Sequence, residues 1–440
     1  MPRDEVARDT IAAIATPAGR GGIGIVRVSG SKAGAIAKAL LGSVPTPRVA
    51  THRSFRAASA ELLDQGIALY FPAPNSYTGE DVLELHGHGG PVVMQELLEA
   101  CVAAGARLAE PGEFTRRAFL EGKLDLAQAE AVADLIDAAS REAARSALRS
   151  LTGEFSAAIR HVVGSLAELR ALMEAMLDFP EEEIEPVHAE DGARRLAAIR
   201  AALAEVLAKS RQGRLLAAGI HVVIAGPPNV GKSSLLNRLL EEERAIVTPI
   251  PGTTRDTLRE AIEIEGVPVT LVDTAGLRSS LDEIERLGME RTRRELVAAD
   301  IVLLVHEARG KAEVPQGVDT QATRIDVFNK IDLAPGFRPP ETAVAVSART
   351  GEGIEALRRE IVRAAGWSSA GESVFLARAR HLRALEAASM HLELASREKQ
   401  RWEFLAEELR LAQRELGRIT GEVSADDLLG AIFSRFCIGK

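Results

Sequence analysis

Apolar residues at Leu148, Leu151, Phe155, Ile159, Val162, Leu166, Leu169, Met173 and Met176 recur at steps of three and four. This period, close to a heptad, predicts one stripe along one long helix. The stripe stops at Phe179 and Pro180, before the acidic Glu181, Glu182 and Glu183. A further helix is expected over about 191–212. After residue 375 the helical period resumes, with Trp402, Leu405, Leu409, Ala412, Leu416 and Ile419 on one face. The two stripes predict the core of a helical bundle, split in sequence by a segment near 216–370. That segment has another texture. Residues 220–225 (IHVVIA) form a near-continuous apolar run, as in a parallel strand covered on both faces. Similar runs lie at 269–272, 301–305, 325–328 and 344–346, with helical stretches between most of them, the doubly wound pattern. Before Lys123 the chain mixes short strands at 23–28 and 66–71, a turn at 75–79 and a helix at 92–104. The expected architecture is multidomain, α+β and α/β. It comprises an N-terminal mixed domain at 1–120, a helical part at 121–215, an inserted α/β domain at 216–373 and a second helical part at 374–440.

Composition narrows the partners. At 440 residues about three domains are expected. Aromatic residues make up only 4%, so the cores must rest on Ala, Leu, Val and Ile. Fifty-four basic against 63 acidic residues leave a net charge of −9. A chain that holds nucleic acid unaided usually shows a basic surface, so any RNA contact here is local or shared with a partner. Two cysteines cannot build a disulfide framework, which fits a reducing compartment. Residues 1–18 are charged and lack a long apolar stretch, and no run reaches membrane-span length. The expectation is a soluble, cytoplasmic protein without a membrane partner.

The inserted domain carries the clearest chemistry. Residues 226–233 (GPPNVGKS) follow a strand and open a helix, fitting G-x-x-x-x-G-K-[ST]. Backbone N–H groups from Asn229, Val230 and Gly231 into Lys232, Ser233 and Ser234 are expected around phosphates, with Lys232 on the terminal ones and the Ser233 hydroxyl on Mg²⁺. Asn329, Lys330 and Asp332 follow a strand. The Asp332 carboxylate can accept from the ring N–H and amino group of guanine, and adenine offers neither donor there. Ser347, Ala348 and Arg349, at another strand end, supply backbone contacts to the same base. Asp273, Thr274, Ala275 and Gly276 set an acid near Mg²⁺ and a glycine near the γ-phosphate. Thr253 and Thr254 lie on a switch loop, Thr254 as second Mg²⁺ ligand. Singly, each reads as a turn or a solvated charge; in this order together they predict a GTPase. The position of the water-orienting glutamine of Ras-type enzymes holds Leu277. Asn229 offers a neutral oxygen that could hold a monovalent cation beside the phosphates, or could simply cap the loop. Asp282, Glu283 and Glu285 are all candidates to position the water.

The last residues, Cys437, Ile438, Gly439 and Lys440, follow an apolar run from Leu428 to Phe436. Alone this reads as a docked helix end; a thiol, a glycine and a cation also suit a pocket. Further strings stand at 16–24 (TPAGRGGIG), 74–84 (PNSYTGEDVLE), 111–114 (PGEF), 123–130 (KLDLAQAE) and 252–256 (GTTRD). With these the whole chain resembles the MnmE (TrmE) family of tRNA-modification GTPases, within the TrmE/Era-like group. The resemblance implies a K⁺-stimulated GTP hydrolase that works with a flavoprotein partner, MnmG, which carries FAD. Together they would install an aminomethyl or carboxymethylaminomethyl group on carbon 5 of the wobble uridine of certain tRNAs. The one-carbon unit would come from 5,10-methylenetetrahydrofolate or 5-formyltetrahydrofolate. It further implies a homodimer joined through a folate-binding domain at 1–120, and a heterotetrameric or larger complex with MnmG. By motif match Arg27, Glu84, Lys123 and Lys440 would meet the folate. K⁺ would be held by Asn229, Thr248, Ile250 and Thr253, with Thr248 also counted among the GTP contacts. Glu285 would position the water, and Cys437 would serve the modification centre.

The chain departs from the family pattern at Pro249 and Pro251 in the switch loop and at His306 and Glu307, where an aspartate often follows the strand. His86 and His88 lack further ligands nearby and do not predict a metal site. Two rivals from other classes are a ribosome-assembly GTPase and a scaffold whose GTPase only times assembly. The first leaves the strings before residue 130 and the cysteine tail unexplained, and mass analysis of tRNA nucleosides separates all three readings.

Overall fold

In a computed structural model the described residues are 9–178, 186–241, 259–273, 294–310, 322–368, 374–397, 401–422, 426–434 and 436–439. They fall into two units, one made of 1–133 with 417–440, the other of 134–416.

The first unit is built on a mixed sheet. Its strands are β1 (Ile11–Ile14), β2 (Gly21–Ser29), β3 (Thr51–Arg56), β4 (Leu62–Phe71), β5 (Val82–Gly89) and β6 (Arg107–Leu108), ordered β3-β4-β5-β2-β1-β6. Strand alternation decides which side chains face which way. Val26 and Val28 of β2 and Leu83 and Leu85 of β5 are buried with Ile36 and Leu40 of α1 (Ala33–Leu41) and Leu97 of α2 (Pro91–Ala103). Arg27 and Glu84 therefore point to the opposite face, and the antiparallel register sets them opposite each other. On that face Ile11, Ala13, Ala109 and Phe114 form a smaller cluster with Tyr77. Phe114 belongs to α3 (Glu113–Leu120).

An ion network fastens the 75–81 loop to α3. The Arg117 guanidinium, only 3% exposed, pairs with Asp9, Glu80 and Glu113 at 2.8, 3.1 and 2.9 Å. Arg107 pairs with Glu113 at 2.6 Å. Burial pushes the Glu113 carboxyl up, but the hydrogen bonds from Arg107, the Glu110 amide and Arg117 outweigh it and hold the pKa at about 2, against an ordinary 4.5. A depressed folded pKa stabilises fully above about pH 4.5, and that stability is lost as pH falls towards about 2. Thermal unfolding of a Glu113→Gln chain is expected to depend less steeply on pH across that window than the wild type. Equal slopes would remove Glu113 from the acid limb.

The second unit opens with helices α5 (Arg141–Leu151), α6 (Glu154–Asp178) and α7 (Pro186–Ala218), after α4 (Leu126–Ile136) has led in from the first. The long stripe is divided: Gly153, at φ +91°, ends one helix, and α6 starts anew. Leu148 on α5 is consequently 50% exposed, whereas Phe155, Ile159, Val162, Leu166, Leu169 and Met173 on α6 are buried. Met176 lies outside the described side chains.

A second sheet follows, from β7 (Ile220–Ala225), β8 (Arg259–Ile264), β9 (Val267–Asp273), β10 (Ile301–Glu307), β11 (Thr323–Asn329) and β12 (Ala343–Ala345). Its order is β12-β11-β10-β7-β9-β8, parallel except for β8. One face is covered by α8 (Lys232–Glu241) and α9 (Ile354–Ala364), with Leu235, Leu239, Leu357 and Ile361 buried against Val222, Ile224 and Leu303. The helical chain then resumes in α10 (Ala379–Arg397) and α11 (Trp402–Thr420), and His391 bonds Glu408 between them at 2.7 Å. Leu405, Leu409, Ala412, Leu416 and Ile419 are buried along α11, as their spacing predicts. After α11 the chain adds α12 (Asp426–Phe433) to the first unit. Among the described residues no helix is long and apolar enough to cross a membrane.

Candidate functional site

The chain leaves β7 to one neighbour, β9, and later returns on its other side as β10. Open α/β sheets bind ligands at such a switch point, beyond the carboxyl ends of the strands. Residues 226–233 lie there. Gly226, at φ +150°, passes so close to β10 that a Cβ would stand 2.4 Å from the Val305 carbonyl oxygen. Lys232 begins α8 and is buried, and its ammonium donates to the Gly226 and Pro227 carbonyls at 3.0 and 2.7 Å. The Ser233 hydroxyl donates to Asp273 at 2.7 Å, at the end of β9. A hydroxyl and a carboxylate are hard oxygen donors, so the pair fits Mg²⁺. Ser234 faces outward one residue further along α8.

Asn329 joins the loop to the segments around Asp332 and Ser347. It is 2% exposed at the end of β11. Its amide nitrogen donates to the Val230 carbonyl at 2.9 Å, and its oxygen accepts from the Lys330 and Ala348 N–H groups at 2.8 and 3.1 Å. Lys330 reaches back to the Asn229 carbonyl at 2.7 Å and lies 3.4 Å from Glu307. Asn229 adopts φ +64°, a left-handed conformation that Asn tolerates, and its side-chain amide takes no hydrogen bond among the described residues. Asp332 accepts from the Ser347 hydroxyl at 2.6 Å and pairs with Arg349 at 2.7 Å. The Ser347 hydrogen bond, aided by Arg349 and opposed by partial burial, holds Asp332 below the ordinary carboxylate range. His306 is buried against Phe328 and bonded to Asp326 at 2.8 Å.

A second constellation centres on Arg27 in the first unit. Its guanidinium binds Glu84 at 2.9 Å and lies over the Tyr77 and Phe114 rings, 5.6 and 5.8 Å from their centres. It also reaches the Gly439 carbonyl at 3.5 Å. The other Glu84 oxygen meets His86 at 3.1 Å, and His88 instead binds Asp64 at 2.8 Å. Residues 436–439 are seated by backbone contacts: the Gly112 N–H donates to the Cys437 carbonyl at 3.4 Å, and Phe436 packs with Phe433 in the cluster around Leu126. Cys437 is exposed, whereas burial pushes the Cys101 thiol up to about 12. Lys123 is exposed and lies beside Gly79.

Residues 126–437 match the family model of the MnmE helical domain, and 10–123 that of the GTP-binding protein TrmE N-terminus. The tRNA modification GTPase MnmE of Azoarcus sp. (strain BH72) is 58% identical over 444 positions, spanning 98% of both chains. The chain belongs to the MnmE family of tRNA modification GTPases. The MnmE of Dechloromonas aromatica (strain RCB) is 56% identical, again over 98% of this chain, and 99% of its own. Among solved structures, the G domain of the T. maritima FeoB iron transporter is 28% identical over 33% of this chain and 98% of its own, with a TM-score of 0.25. Aquifex aeolicus Era bound to GDP and AlF4⁻ is 25% identical over 40% of this chain and 67% of its own, at 0.27. Membership of the MnmE family makes the chain a GTP hydrolase with a mixed N-terminal domain, a helical domain and a GTPase domain.

Several expected MnmE site residues lie outside the described residues: Thr248, Ile250, Thr253, Thr254, Thr274, Ala275, Gly276, Glu285 and Lys440, together with Leu277, Pro249 and Pro251. Sequence reading singled out Arg27 and Glu84 but not the aromatic rings over Arg27. Tyr77 and Phe114 stand inside the strings 74–84 and 111–114, but their spacing gives no reason to pair them with Arg27.

Proposed function

We propose that the chain is a K⁺-stimulated GTPase that works with the flavoprotein MnmG to place an aminomethyl-type group on carbon 5 of the wobble uridine of tRNA. It acts in the cytoplasm as a homodimer whose G domains meet across their nucleotides, and MnmG carries the FAD. The observation that carries the modification half is the convergence of Glu84, two aromatic rings and the Gly439 carbonyl on Arg27. A tetrahydrofolate offers an amino-pyrimidine edge for a carboxylate, flat rings for stacking and an acidic tail for cations, and the donor set fits it. Arg27, Glu84, Lys123 and Lys440 hold it, and its methylene or formyl carbon supplies the one-carbon unit when bound. In the other half, Ser233 and Thr254 hold Mg²⁺, and Glu285 orients the water. Asn229, Thr248, Ile250 and Thr253 would hold K⁺, which would supply positive charge against the negative charge that develops on the phosphates.

Two measurements test this reading. Nucleoside mass analysis of tRNA from a strain lacking the chain is expected to show unmodified wobble uridines; normal wobble uridines would sink the modification role. GTP hydrolysis by the wild type is expected to be at least about ten-fold faster in KCl than in NaCl, and Asn229→Ala is expected to erase the difference. Equal rates in the two salts for wild type, or an intact KCl advantage in the variant, would refute the cation assignment.

A further inference from the structure

Guanine presents two parallel N–H donors, one for each oxygen of the carboxylate that reads it. Both oxygens of Asp332 are already engaged. Oδ1 accepts from the Ser347 hydroxyl at 2.6 Å, and Oδ2 accepts from Arg349 Nη2 at 2.7 Å. The two partners differ in freedom. Ser347 is buried and its oxygen also accepts from the Thr350 N–H at 3.1 Å, so its hydroxyl is fixed and leaves Oδ1 a second lone pair. The Arg349 side chain is 73% exposed over an Asp332 side chain that is only 11% exposed. The Arg349 backbone is tethered, its carbonyl accepting from Arg238 at 3.5 Å. Guanidinium and guanine share one recognition chemistry, a planar pair of N–H donors that matches a carboxylate.

The geometry points to Arg349 as an internal competitor for the guanine seat. The base and the guanidinium take the same oxygen, so the side chain must swing into solvent before guanine can bind. The observed affinity for guanine nucleotides is then lowered by the fraction of chains whose seat is covered. Exposed ion pairs are weak, so the seat is covered in about half to four-fifths of chains, and clearing it should raise association about two- to five-fold. The direction is diagnostic. Removing a positive charge near an anionic ligand ordinarily slows its association.

This inference rests on the reading of Asp332 as the guanine-binding carboxylate. Stopped-flow binding of a fluorescent GDP to the full chain tests it. Arg349→Ala is expected to raise the association rate constant about two- to five-fold with an unchanged dissociation rate. An unchanged or lower association rate overturns the inference. The control is an Asp332→Asn chain titrated with xanthosine diphosphate, whose carbonyl replaces the guanine amino group and suits an amide. There Arg349 has no carboxylate to cover, so Arg349→Ala should change association by less than about 1.5-fold. The same gain in that background also overturns the inference. If Asp332→Asn does not shift preference from guanosine to xanthosine diphosphate, the reading of Asp332 itself fails, and the competition with it.

Discussion

Asn329→Ala is expected to weaken guanine-nucleotide binding by about two to three orders of magnitude. The residue is nearly sealed from solvent and makes three hydrogen bonds, to the Val230 carbonyl and from the Lys330 and Ala348 N–H groups. Truncation leaves those backbone groups without partners at a place where water reaches poorly. A buried polar group that loses its partner costs about 1–3 kcal/mol, and two such losses account for the expected range. Packing leaves no substitute on the near side, because a Cβ on Gly231 would stand 2.4 Å from the Asn329 amide nitrogen. One side chain thus fixes the 226–233 loop relative to the segments proposed to read the base. Titration of the full chain with a fluorescent GDP measures the effect, with thermal unfolding alongside to show that the variant folds. An affinity within ten-fold of the wild type would mean that loop and base segments hold their places without this joint.

The parts of this design differ in how far the sequence revealed them. Wherever a fold decision rests on a local period, it was legible. Val26 and Val28 alternate with Arg27, so one face of β2 is apolar and the other carries the charge. The run Ile220–Ala225 is apolar except at the half-buried His221, because β7 lies between β9 and β10 with both faces covered. A period fails where one residue changes direction without disturbing the count. The stripe from Leu148 to Phe155 keeps its three- and four-residue steps across Gly153, yet that glycine turns the chain and exposes Leu148. In the nucleotide site the residue types were legible because each motif is contiguous. Their joints were not. Asn329 meets Val230 only because the sheet order sets β11 and β7 on either side of β10. Spacing likewise gives no reason to pair Arg349 with Asp332 or Tyr77 with Arg27, since those contacts are made across loops.

Gly439→Ala is expected to reduce wobble-uridine modification at least about ten-fold and to leave GTP hydrolysis within about two-fold of wild type. Gly439 has φ +98°, where side chains other than glycine are strained. A Cβ there would stand 2.4 Å from the Ile14 carbonyl oxygen and 3.0 Å from Ala15 Cα, both backbone atoms that cannot rotate away. Ile14 ends β1 and is paired to Val26, beside Arg27, so the sheet holds its place and the tail must lift instead. Lifting takes the Gly439 carbonyl from Arg27, while the Gly112 contact to Cys437 and the packing of Phe433 and Phe436 remain. The hydrolytic groups all belong to the other unit, which is why the two activities should separate. Ile438→Ala, at an exposed position, is the matched control and should retain modification. Nucleoside mass analysis of tRNA from complemented strains reads the outcome, and full modification by Gly439→Ala would show that this seat is dispensable. Cys437→Ser then asks a separate question. With the tail seated by its backbone, the exchange of sulfur for oxygen tests the thiol alone, and loss of modification there assigns the chemistry to the Cys437 sulfur itself.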